Sequence, residues 1–405
     1  MNKIPLKKTT IFKLLKTIKI DNINKENIEL TKSKNRILSN DVISLMKLPP
    51  FNNSAVDGYA IHNSNLSNLI KLKCTQRITA GDSITKNVKN GEVARIFTGA
   101  RMPANSKTVV MQENVTVIKD HILINKLPRV GENCRFAGED ISKGEIIIRK
   151  GDKIDSTNLN LIAAIGKKNV WVKKKLKVGF YTSGNELKNP TEKLKGSEIN
   201  NSNFYSLKTL LSEAYIENKY LGILKDSKKM IENSLLKNSD KYNVLITTGG
   251  ASVGEEDYLI EAVKKIGKIF FWKTAIKPGR PLAIGKVNKT IIICFPGNPV
   301  SVHLLYGMII KPFLEFLCGS QLIMPLGLRA IVTFSMKKKT QRLEWLRVNR
   351  IKDSKFLKVN KYPKQGSGMI SSIAYADGIV EIPENVSQIN VGDSFIFYSF
   401  KDLFS

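Results

Sequence analysis

The chain has few of the side chains from which metal centres and disulfide frameworks are built. Its 405 residues include only four cysteines and three histidines. They are far apart in the sequence, at Cys74, Cys134, Cys294, Cys318, His62, His121 and His303. No CxxC pair occurs, so neither a disulfide framework nor a zinc site is indicated, and a Ser-His-Asp triad has no local support. The chemistry is therefore expected to come from carboxylates, amines, hydroxyls and backbone amides.

Long apolar runs and common nucleotide-binding signatures are also missing. No apolar run reaches the ~18 residues that a membrane-spanning helix needs. Residues 1–22 lack the uninterrupted apolar core and the small-residue cleavage site of a signal peptide. We therefore expect a cytoplasmic protein with no membrane partner. Neither GxxxxGK[ST] nor a well-placed GxGxxG is present, which argues against a P-loop ATPase or a dinucleotide enzyme.

Charge of one sign dominates the composition. Lys plus Arg number 65 and Asp plus Glu 35, a formal net charge of +30. Such an excess alone suggests nucleic acid or an anionic surface. The lysines, however, are spread singly or in short runs along the whole chain beside much Asn and Ile, a composition typical of AT-rich codon usage. We expect no nucleic-acid partner, and a long-range attraction for an anionic substrate that is stronger at low salt.

The pattern of predicted elements changes along the chain. Residues 45–140 contain short strands with regular turn signals, which predicts a small β-rich domain. Strands then alternate with helices over 174–322, which predicts βαβ units on a mostly parallel sheet. Short strands return after about 325 and indicate a compact C-terminal β-barrel. A helix is predicted over 156–166, with Ser156 as its N-cap.

A polar loop follows each of five predicted strands in the α/β region. The strands are 176–181, 220–224, 243–248, 269–273 and 290–295. The first strand is followed by Thr182, Ser183, Gly184 and Glu186, and the second by Asp226. The third is followed by Gly249, Gly250, Ser252, Gly254 and Asp257. Lys273, Lys277 and Arg280 lie at and after the end of the fourth, and the last is followed by Pro296, Gly297, Asn298, Pro299 and Ser301. Ligands of open α/β sheets bind beyond the carboxyl ends of the strands, so five polar loops at one edge predict a ligand site.

The side chains in these loops indicate the kind of ligand. The glycines of the third loop let backbone amides approach an anion closely. The third and fifth loops both open helices, whose N-termini favour phosphate and similar oxyanions. The loop lysines and arginine add positive charge, whereas Glu186, Asp226 and Asp257 offer the hard oxygen ligands that Mg²⁺ prefers. This combination predicts a site for a metal-bridged phosphate.

Several motifs resemble those of one known family. Residues 48–60, LPPFNNSAVDGYA, resemble the opening signature of the MoeA and gephyrin E-domain family, the molybdopterin molybdotransferases. Further motifs match in order: ITAGD (78–82), IFTGA (96–100), GEDI (138–141), the loops at 182–187, 248–258, 277–281 and 296–301, and GSGM (366–369). The match spans nearly the whole chain, and the three longest motifs together are highly specific.

The resemblance implies a homodimer of elongated, four-part subunits. The implied fold class is multidomain α/β plus β. It has a central three-layer α/β domain with a mostly parallel sheet of the molybdopterin-binding type, a small β-rich domain inserted near the N-terminus, a helical linker part and a C-terminal β-barrel. The implied domains are 1–44 with 141–173 (helical linker), 45–140 (β-rich, contributing to the partner's active site), 174–322 (α/β) and 323–405 (barrel).

The resemblance also implies an activity in molybdenum cofactor biosynthesis. Family enzymes are Mg²⁺-dependent transferases that take adenylylated molybdopterin and molybdate, release AMP and leave molybdenum on the dithiolene. The molybdopterin adenylyltransferase is then a further partner. Two alternatives stay open at this point: an enzyme of the molybdopterin adenylyltransferase type, and a non-catalytic scaffold like gephyrin.

The site residues carried over from the family fall into three groups. The catalytic group is Asp57, Thr98, Asp140, Glu186, Asp226, Asp257, Lys273 and Lys277, of which Asp57, Glu186, Asp226 and Asp257 position the metal. The substrate-binding group is Thr182, Ser183, Gly184, Gly249, Gly250, Ser252, Gly254, Arg280, Pro296, Gly297, Asn298 and Pro299. The pocket for molybdate is Ser301, Arg347, Ser371 and Ser372. Three positions depart from the family pattern: Asn185 stands where Asp is usual, Arg280 where Lys is usual, and Asn243 where Asp often opens the strand.

Overall fold

A computed structural model describes residues 5–64, 71–82, 86–249, 258–352 and 355–404. The predicted fold class is confirmed: a central α/β domain is flanked by a β-rich region on its N-terminal side and a closed β-barrel on its C-terminal side. The buried side chains form several separate hydrophobic clusters, the largest of which lies in and around the central domain.

The β-rich region is built on one six-stranded sheet. Its strands, in spatial order, are Ser106–Met111, Gly58–His62, Glu92–Ile96, Lys71–Ile78, His121–Ile124 and Val115–Ile118. The short strands Asn53–Ser54 and Cys134–Arg135 pair with each other beside it. Gly58–His62 is central and almost fully buried, which places the preceding Asp57 at the start of a rigid strand.

The segments that flank the β-rich region pack against each other through small sheets. Lys25–Glu29 pairs with Asn169–Lys173, and Val42–Ile43 pairs with Ile146–Ile148. The helix Ser156–Ala164 packs on them. The N-terminal helix Lys8–Leu15 instead buries Ile11, Phe12 and Leu15 in the hydrophobic cluster of the central domain. The predicted domain limits stay a prediction.

One helix begins one residue earlier than its predicted cap implied. Asp155, and not Ser156, is the N-cap of the helix Ser156–Ala164. Its carboxylate accepts the N–H of Asn158 (2.8 Å), and the Asn158 side chain accepts the N–H of Asp155 (3.1 Å), a reciprocal capping box. The prediction was wrong because Asp and Ser are adjacent and both are good caps, so the sequence pattern alone did not fix the register.

Asp155→Ala should therefore weaken this helix and Ser156→Ala should not. Losing an N-cap side chain costs about 1 kcal/mol, since it orphans a backbone N–H at the helix start. Hydrogen exchange of the Asn158 amide should be accelerated several-fold in Asp155→Ala. Equal acceleration in the two variants would contradict the observed cap.

The central domain has three layers around a six-stranded sheet. In spatial order the strands are Ile216–Leu224, Leu176–Ser183, Val244–Thr248, Thr290–Phe295, Ala283–Val287 and Lys268–Trp272. The helices Ser202–Leu210, Pro299–Leu305 and Lys311–Leu317 cover one face, and Lys228–Asn238 and Tyr258–Ile266 cover the other. The five predicted strands all run in one direction, as expected; Ala283–Val287, which was not predicted, is antiparallel to its two neighbours.

The last helix of the domain is long, apolar and internal. Pro299–Leu317 runs through a π-helical segment at Tyr306–Ile310 and has 19 residues. Among the described residues this is the one helix long and apolar enough to cross a membrane, but 83% of it is buried inside the protein. It is therefore read as the core helix of the α/β domain.

The C-terminal region closes into a five-stranded barrel, as predicted. Its strands are Leu343–Arg350, Lys358–Lys361, Leu328–Val332, Ser394–Ser399 and Gly378–Ile382, and the last pairs again with the first. The strands Met336–Lys337 and Gln388–Ile389 and the helices Ser371–Ala374 and Phe400–Phe404 complete it. Ile276–Lys277, from the central domain, joins the barrel strand Leu343–Arg350 in parallel. The loop that carries Lys277 is thus fixed to the barrel.

Candidate functional site

The centre of the candidate site is the point where the strand order of the central sheet reverses. The chain passes from Leu176–Ser183 to a neighbour on one side and then returns to Val244–Thr248 on the other. Such a switch point opens a crevice at the carboxyl ends of the two strands. Thr182, Ser183 and Gly184 end one strand, and Gly249 follows the other. The remaining predicted residues of that second loop, Gly250, Ser252, Gly254 and Asp257, lie outside the described residues.

Gly249 is required by the backbone at this crevice. Its φ is +87°, a conformation that side chains disfavour, and a Cβ at this position would lie 2.5 Å from the Ser183 carbonyl oxygen. The two strand ends therefore touch through their backbones. The Ser183 and Thr248 hydroxyls are buried there and have no hydrogen-bond partner among the described residues. A buried hydroxyl without a partner costs about 1–3 kcal/mol, which is typical of a site built for function more than for stability.

The crevice is also held by a polar network that was not predicted. Asn201 caps the helix Ser202–Leu210, and its amide donates to the Thr182 hydroxyl (2.8 Å). The Thr182 hydroxyl also contacts the Tyr220 hydroxyl (2.9 Å). Asn203, almost fully buried, donates to the carbonyl of Gly297 (2.7 Å) and so ties the fifth loop to this helix. Isolated Asn and Tyr residues have no pattern that would have marked these contacts in the sequence.

Hydrogen bonds between Asn185 and Asp226 join the first two loops. Asn185 and Asp226 exchange hydrogen bonds: the Asn185 N–H donates to the Asp226 carboxylate (3.3 Å), and the Asp226 N–H donates to the Asn185 side chain (3.4 Å). The exposed Glu186 turns its carboxylate back over Gly184, where a Cβ would be 2.5 Å from Oε2. Gly184 permits this approach, so Glu186 and Asp226 present oxygens at the same sheet edge.

The fifth loop directs a helix N-terminus towards the same edge. Pro296 is buried, Gly297 and Asn298 are exposed, and Pro299 occupies the first turn of the helix. Ser301 lies in that turn and is buried. Asn298 makes no side-chain cap, so its side chain does not occupy the amides of the first turn. A helix start of this kind suits an anionic group.

The loop after the fourth parallel strand supplies the predicted cations. Lys273 adopts a φ of +76°, its N–H donates to the Leu282 carbonyl (3.2 Å), and its ammonium lies 4.1 Å from the centroid of the Trp272 ring. Lys277 is 56% exposed and pairs with Glu344 of the barrel at 2.7 Å. Arg280 is exposed two residues beyond Pro278. The structure thus places all three on one loop between the sheet edge and the barrel.

Arg347 is a buried cation of the barrel. Only 1% of it is exposed, and its guanidinium donates to the Ser372 hydroxyl (3.2 Å) and to the carbonyls of Trp345 (3.1 Å) and Gly366 (3.3 Å). Burial lowers the pKa of Arg347 to about 10, and the charge of Glu344 opposes that shift. Ser372 is fully buried, and Ser371 begins the short helix Ser371–Ala374. Of the predicted pocket residues of the barrel, Ser372 therefore contacts the guanidinium directly, and Ser371 is its neighbour in the chain.

Asp57 and Thr98 form a second, separate constellation in the β-rich region. The Thr98 N–H and hydroxyl both donate to Asp57 Oδ1 at 2.8 Å. These two bonds, with a smaller contribution from the charge of Arg95, lower the pKa of Asp57 below its ordinary 3.8. Asp140 is exposed in a turn, and its backbone N–H donates to the Leu48 carbonyl. Within the described part of one chain, no three acids, cysteines or histidines are grouped as a metal site would need.

The Asp57–Thr98 contact makes a pH-dependent prediction. Thr98→Val removes the hydroxyl donor and keeps the backbone donor, so the pKa of Asp57 should rise but remain below 3.8. The pKa of Asp57 is lower in the folded than in the unfolded chain, so the contact stabilises the fold at pH values above the ordinary pKa of 3.8. This contribution is lost as the pH falls through the lowered pKa of the folded state. Thr79→Val is the matched control, because Thr79 makes the same two bonds to Asp82. NMR titration of labelled Asp carboxyls should show each variant moving its own partner alone; an unmoved Asp57 would refute the assignment.

Comparison with known proteins gives the family. Three regions match family descriptions: residues 7–166 match "MoeA N-terminal region (domain I and II)", 179–315 match "Probable molybdopterin binding domain", and 329–400 match "MoeA C-terminal region (domain IV)". A protein from Haemophilus influenzae named molybdopterin molybdenumtransferase is 32% identical over 381 residues, which is 93% of this chain and 94% of the relative. The chain belongs to the MoeA family.

Other family members agree with this assignment. A Staphylococcus aureus protein, also named molybdopterin molybdenumtransferase, is 29% identical and covers 88% of this chain and 86% of the relative. A crystal structure of the molybdopterin biosynthesis MoeA protein from Pyrococcus horikoshii is 28% identical, covers 97% of this chain and 100% of its own, and superposes with a TM-score of 0.83. The predicted family is therefore confirmed.

Proposed function

We propose that this chain is a molybdopterin molybdotransferase, which inserts molybdate into adenylylated molybdopterin and releases AMP. The observation that carries the proposal is the set of five polar loops at one edge of the sheet, in a chain that matches MoeA proteins over nearly its full length. The acids, cations, helix start and backbone amides of these loops would suit a nucleotide-linked substrate with two phosphates.

The α/β loops would hold the phosphate groups of the substrate. Gly249 brings backbone close to the crevice, and the first turn of the helix Pro299–Leu305 offers amides beside it. Lys273, Lys277 and Arg280 add positive charge from the neighbouring loop, and Lys273 and Lys277 would bind phosphate or molybdate. Charge that develops on the phosphates as AMP departs would be stabilised by these fixed groups without rearrangement of solvent.

Glu186 and Asp226 suit Mg²⁺, with Asp257 and a carboxylate from the second subunit. Their oxygens are of the hard type that Mg²⁺ prefers, and the metal also accepts phosphate oxygens and water as ligands. When bound, Mg²⁺ neutralises charge on the phosphoanhydride. Asn185 carries no charge where an acid is usual, but its side chain still holds the backbone of Asp226 in place.

The oxyanion pocket would combine Ser301, Arg347, Ser371 and Ser372. The three hydrogen bonds of Arg347 go to uncharged oxygens, so its positive charge is not cancelled by a directly bonded carboxylate. A tetrahedral dianion such as molybdate matches this buried cation and the hydroxyl beside it. A positioned water, or molybdate itself, would then attack as AMP leaves.

The second subunit completes the proposed site. Asp57, Thr98 and Asp140 belong to the β-rich region, and we propose that they reach the α/β crevice of the other copy in a cytoplasmic homodimer. The molybdopterin adenylyltransferase would supply the substrate, and no nucleic acid or membrane takes part. The two alternatives, an adenylyltransferase and a non-catalytic scaffold, are not favoured by the family match.

The decisive assay follows AMP from purified adenylyl-molybdopterin. The proposal expects AMP release that needs both molybdate and Mg²⁺, with no consumption of ATP. Consumption of ATP with formation of adenylyl-molybdopterin would establish the adenylyltransferase alternative. If the protein neither releases AMP nor consumes ATP, the non-catalytic scaffold remains, and a pull-down with candidate receptor peptides would then test it.

A further inference from the structure

Glu344 is a buried acid at the junction of the Lys277 loop and the C-terminal barrel. It lies on the barrel strand Leu343–Arg350 with 10% of its side chain exposed, and its Oε1 atom is 2.7 Å from the ammonium of Lys277. Lys277 itself is 56% exposed. The pair therefore joins an accessible cation of the proposed substrate site to an acid that solvent hardly reaches.

The backbone fixes this pair. Ile276 and Lys277 run parallel to Leu343 and Glu344 as neighbouring strand residues, and the Leu343 N–H donates to the Ala275 carbonyl (2.9 Å). The side chains of directly paired strand residues lie side by side, so the register brings the carboxylate to the ammonium. The ion pair is a consequence of the docking of the loop on the barrel.

The same carboxylate acts on two further cations of the C-terminal region, Arg347 and Lys338. Its charge raises the pKa of Arg347 and of Lys338 against the lowering that burial causes. The Lys338 ammonium donates to the carbonyls of Pro383 (2.9 Å) and Val386 (3.2 Å), and Arg347 bonds to uncharged oxygens. Glu344 is thus a negative charge that acts on three positive ones, while Glu384 acts on Lys338 alone among them.

We propose that Glu344 is an internal competitor for the oxyanion: its carboxylate holds Lys277 in position and lowers the affinity of the pocket for molybdate. The inference rests on the proposed function, because it takes Lys277 as an oxyanion ligand. An incoming oxyanion has to share the Lys277 ammonium with the Glu344 carboxylate, which at 2.7 Å occupies part of its hydrogen-bonding capacity and offsets its charge. Glu344 is a positioning and affinity-setting residue and takes no part in bond making.

The test measures direct binding of molybdate to the full-length protein at constant ionic strength. Glu344→Gln keeps the shape and removes the competing charge, so the dissociation constant should fall about two- to fivefold, the range expected for a partly exposed ion pair. The gain should vanish when Lys277→Met is added, because the competition runs through Lys277. Glu344→Asp, with its shorter side chain, should lie between wild type and Gln, and it serves if the Gln variant does not fold.

A matched control is available in the same chain. Lys265 and Glu232 also form a pair at 2.7 Å, with 63% and 10% of their side chains exposed, on the helices of the opposite face. Glu232→Gln makes the same change of net charge and should leave molybdate binding unaltered. An equal gain in this control would reduce the effect to the overall charge of the protein and would overturn the inference.

The outcomes separate this inference from the proposed function. If Lys277→Met weakens molybdate binding while Glu344→Gln leaves it unchanged or weakens it, Glu344 is no competitor and the proposed site stands. If the Gln gain persists without Lys277, the competition is refuted as well. If Lys277→Met has no effect on molybdate binding, the oxyanion role of Lys277 in the proposed function fails, and the inference fails with it.

Discussion

Replacement of Glu186 by Gln is expected to reduce AMP release at least about a hundredfold, because in the proposed site it removes a charged oxygen ligand from the place where the phosphoanhydride charge would be neutralised. The side chain is exposed and folds back over Gly184, so the isosteric change breaks no buried contact. Thermal unfolding should therefore be unchanged. The loss should appear in kcat more than in KM, because the carboxylate acts where charge develops.

Glu192→Gln is the control for that experiment. Glu192 is exposed in the segment that follows the strand Leu176–Ser183, as Glu186 is. Its carboxylate accepts the N–H of Asn189 (2.9 Å). The control changes net charge equally but leaves the sheet edge untouched, so it should retain wild-type turnover. Wild-type AMP release by Glu186→Gln would remove Glu186 from the proposed metal and phosphate site.

The second large effect is expected from the backbone at the switch point. Gly249→Ala adds a Cβ that would lie 2.5 Å from the Ser183 carbonyl oxygen, in a residue whose φ is +87°. The two strand ends must separate to admit it. A displacement of about 1 Å in a catalytic geometry can cost about a hundredfold in rate, and we expect a loss of that order in kcat/KM.

Gly222→Ala separates the steric effect from backbone strain. Gly222 lies in the strand Ile216–Leu224 of the same sheet, also has positive φ (+106°), and has no atom within 4 Å of an added Cβ. It should cost about 1 kcal/mol of stability and leave turnover unchanged. If Gly249→Ala were as active as Gly222→Ala, the close approach of the two strand ends would not matter for function.

Strand direction could be predicted from the sequence because it follows from local patterns. The first four apolar runs alternate with helices, and connections of that kind force parallel strands whose ends meet at one edge. The fifth, Thr290–Phe295, runs the same way because Ala283–Val287 pairs antiparallel with both it and Lys268–Trp272. The strand Ala283–Val287 escaped prediction because it follows the Pro281 turn directly and forms a hairpin with Thr290–Phe295. No helix separates this strand from its neighbours in the sequence, so the alternation of strands and helices did not indicate it.

The candidate site was predicted where single loops carry the chemistry and missed where distant segments meet. The loops with Thr182, Glu186 and Arg280 could be recognised one at a time. Glu344, by contrast, becomes relevant only because Lys277 docks beside it from a different domain. Asn203 likewise gains its role from the Gly297 carbonyl, which lies far along the chain. Long-range pairs of this kind have no spacing that a sequence pattern can report.

The central proposal is that each active site is shared between two copies of the chain. Subunits with Asp57→Asn and subunits with Glu186→Gln, each inactive alone, should be co-expressed with different tags and the mixed dimer assayed for AMP release. The mixed dimer, isolated through both tags, has one intact site of two, so about half of wild-type activity should return. Activity no higher than that of the two variants measured separately would contradict a shared site.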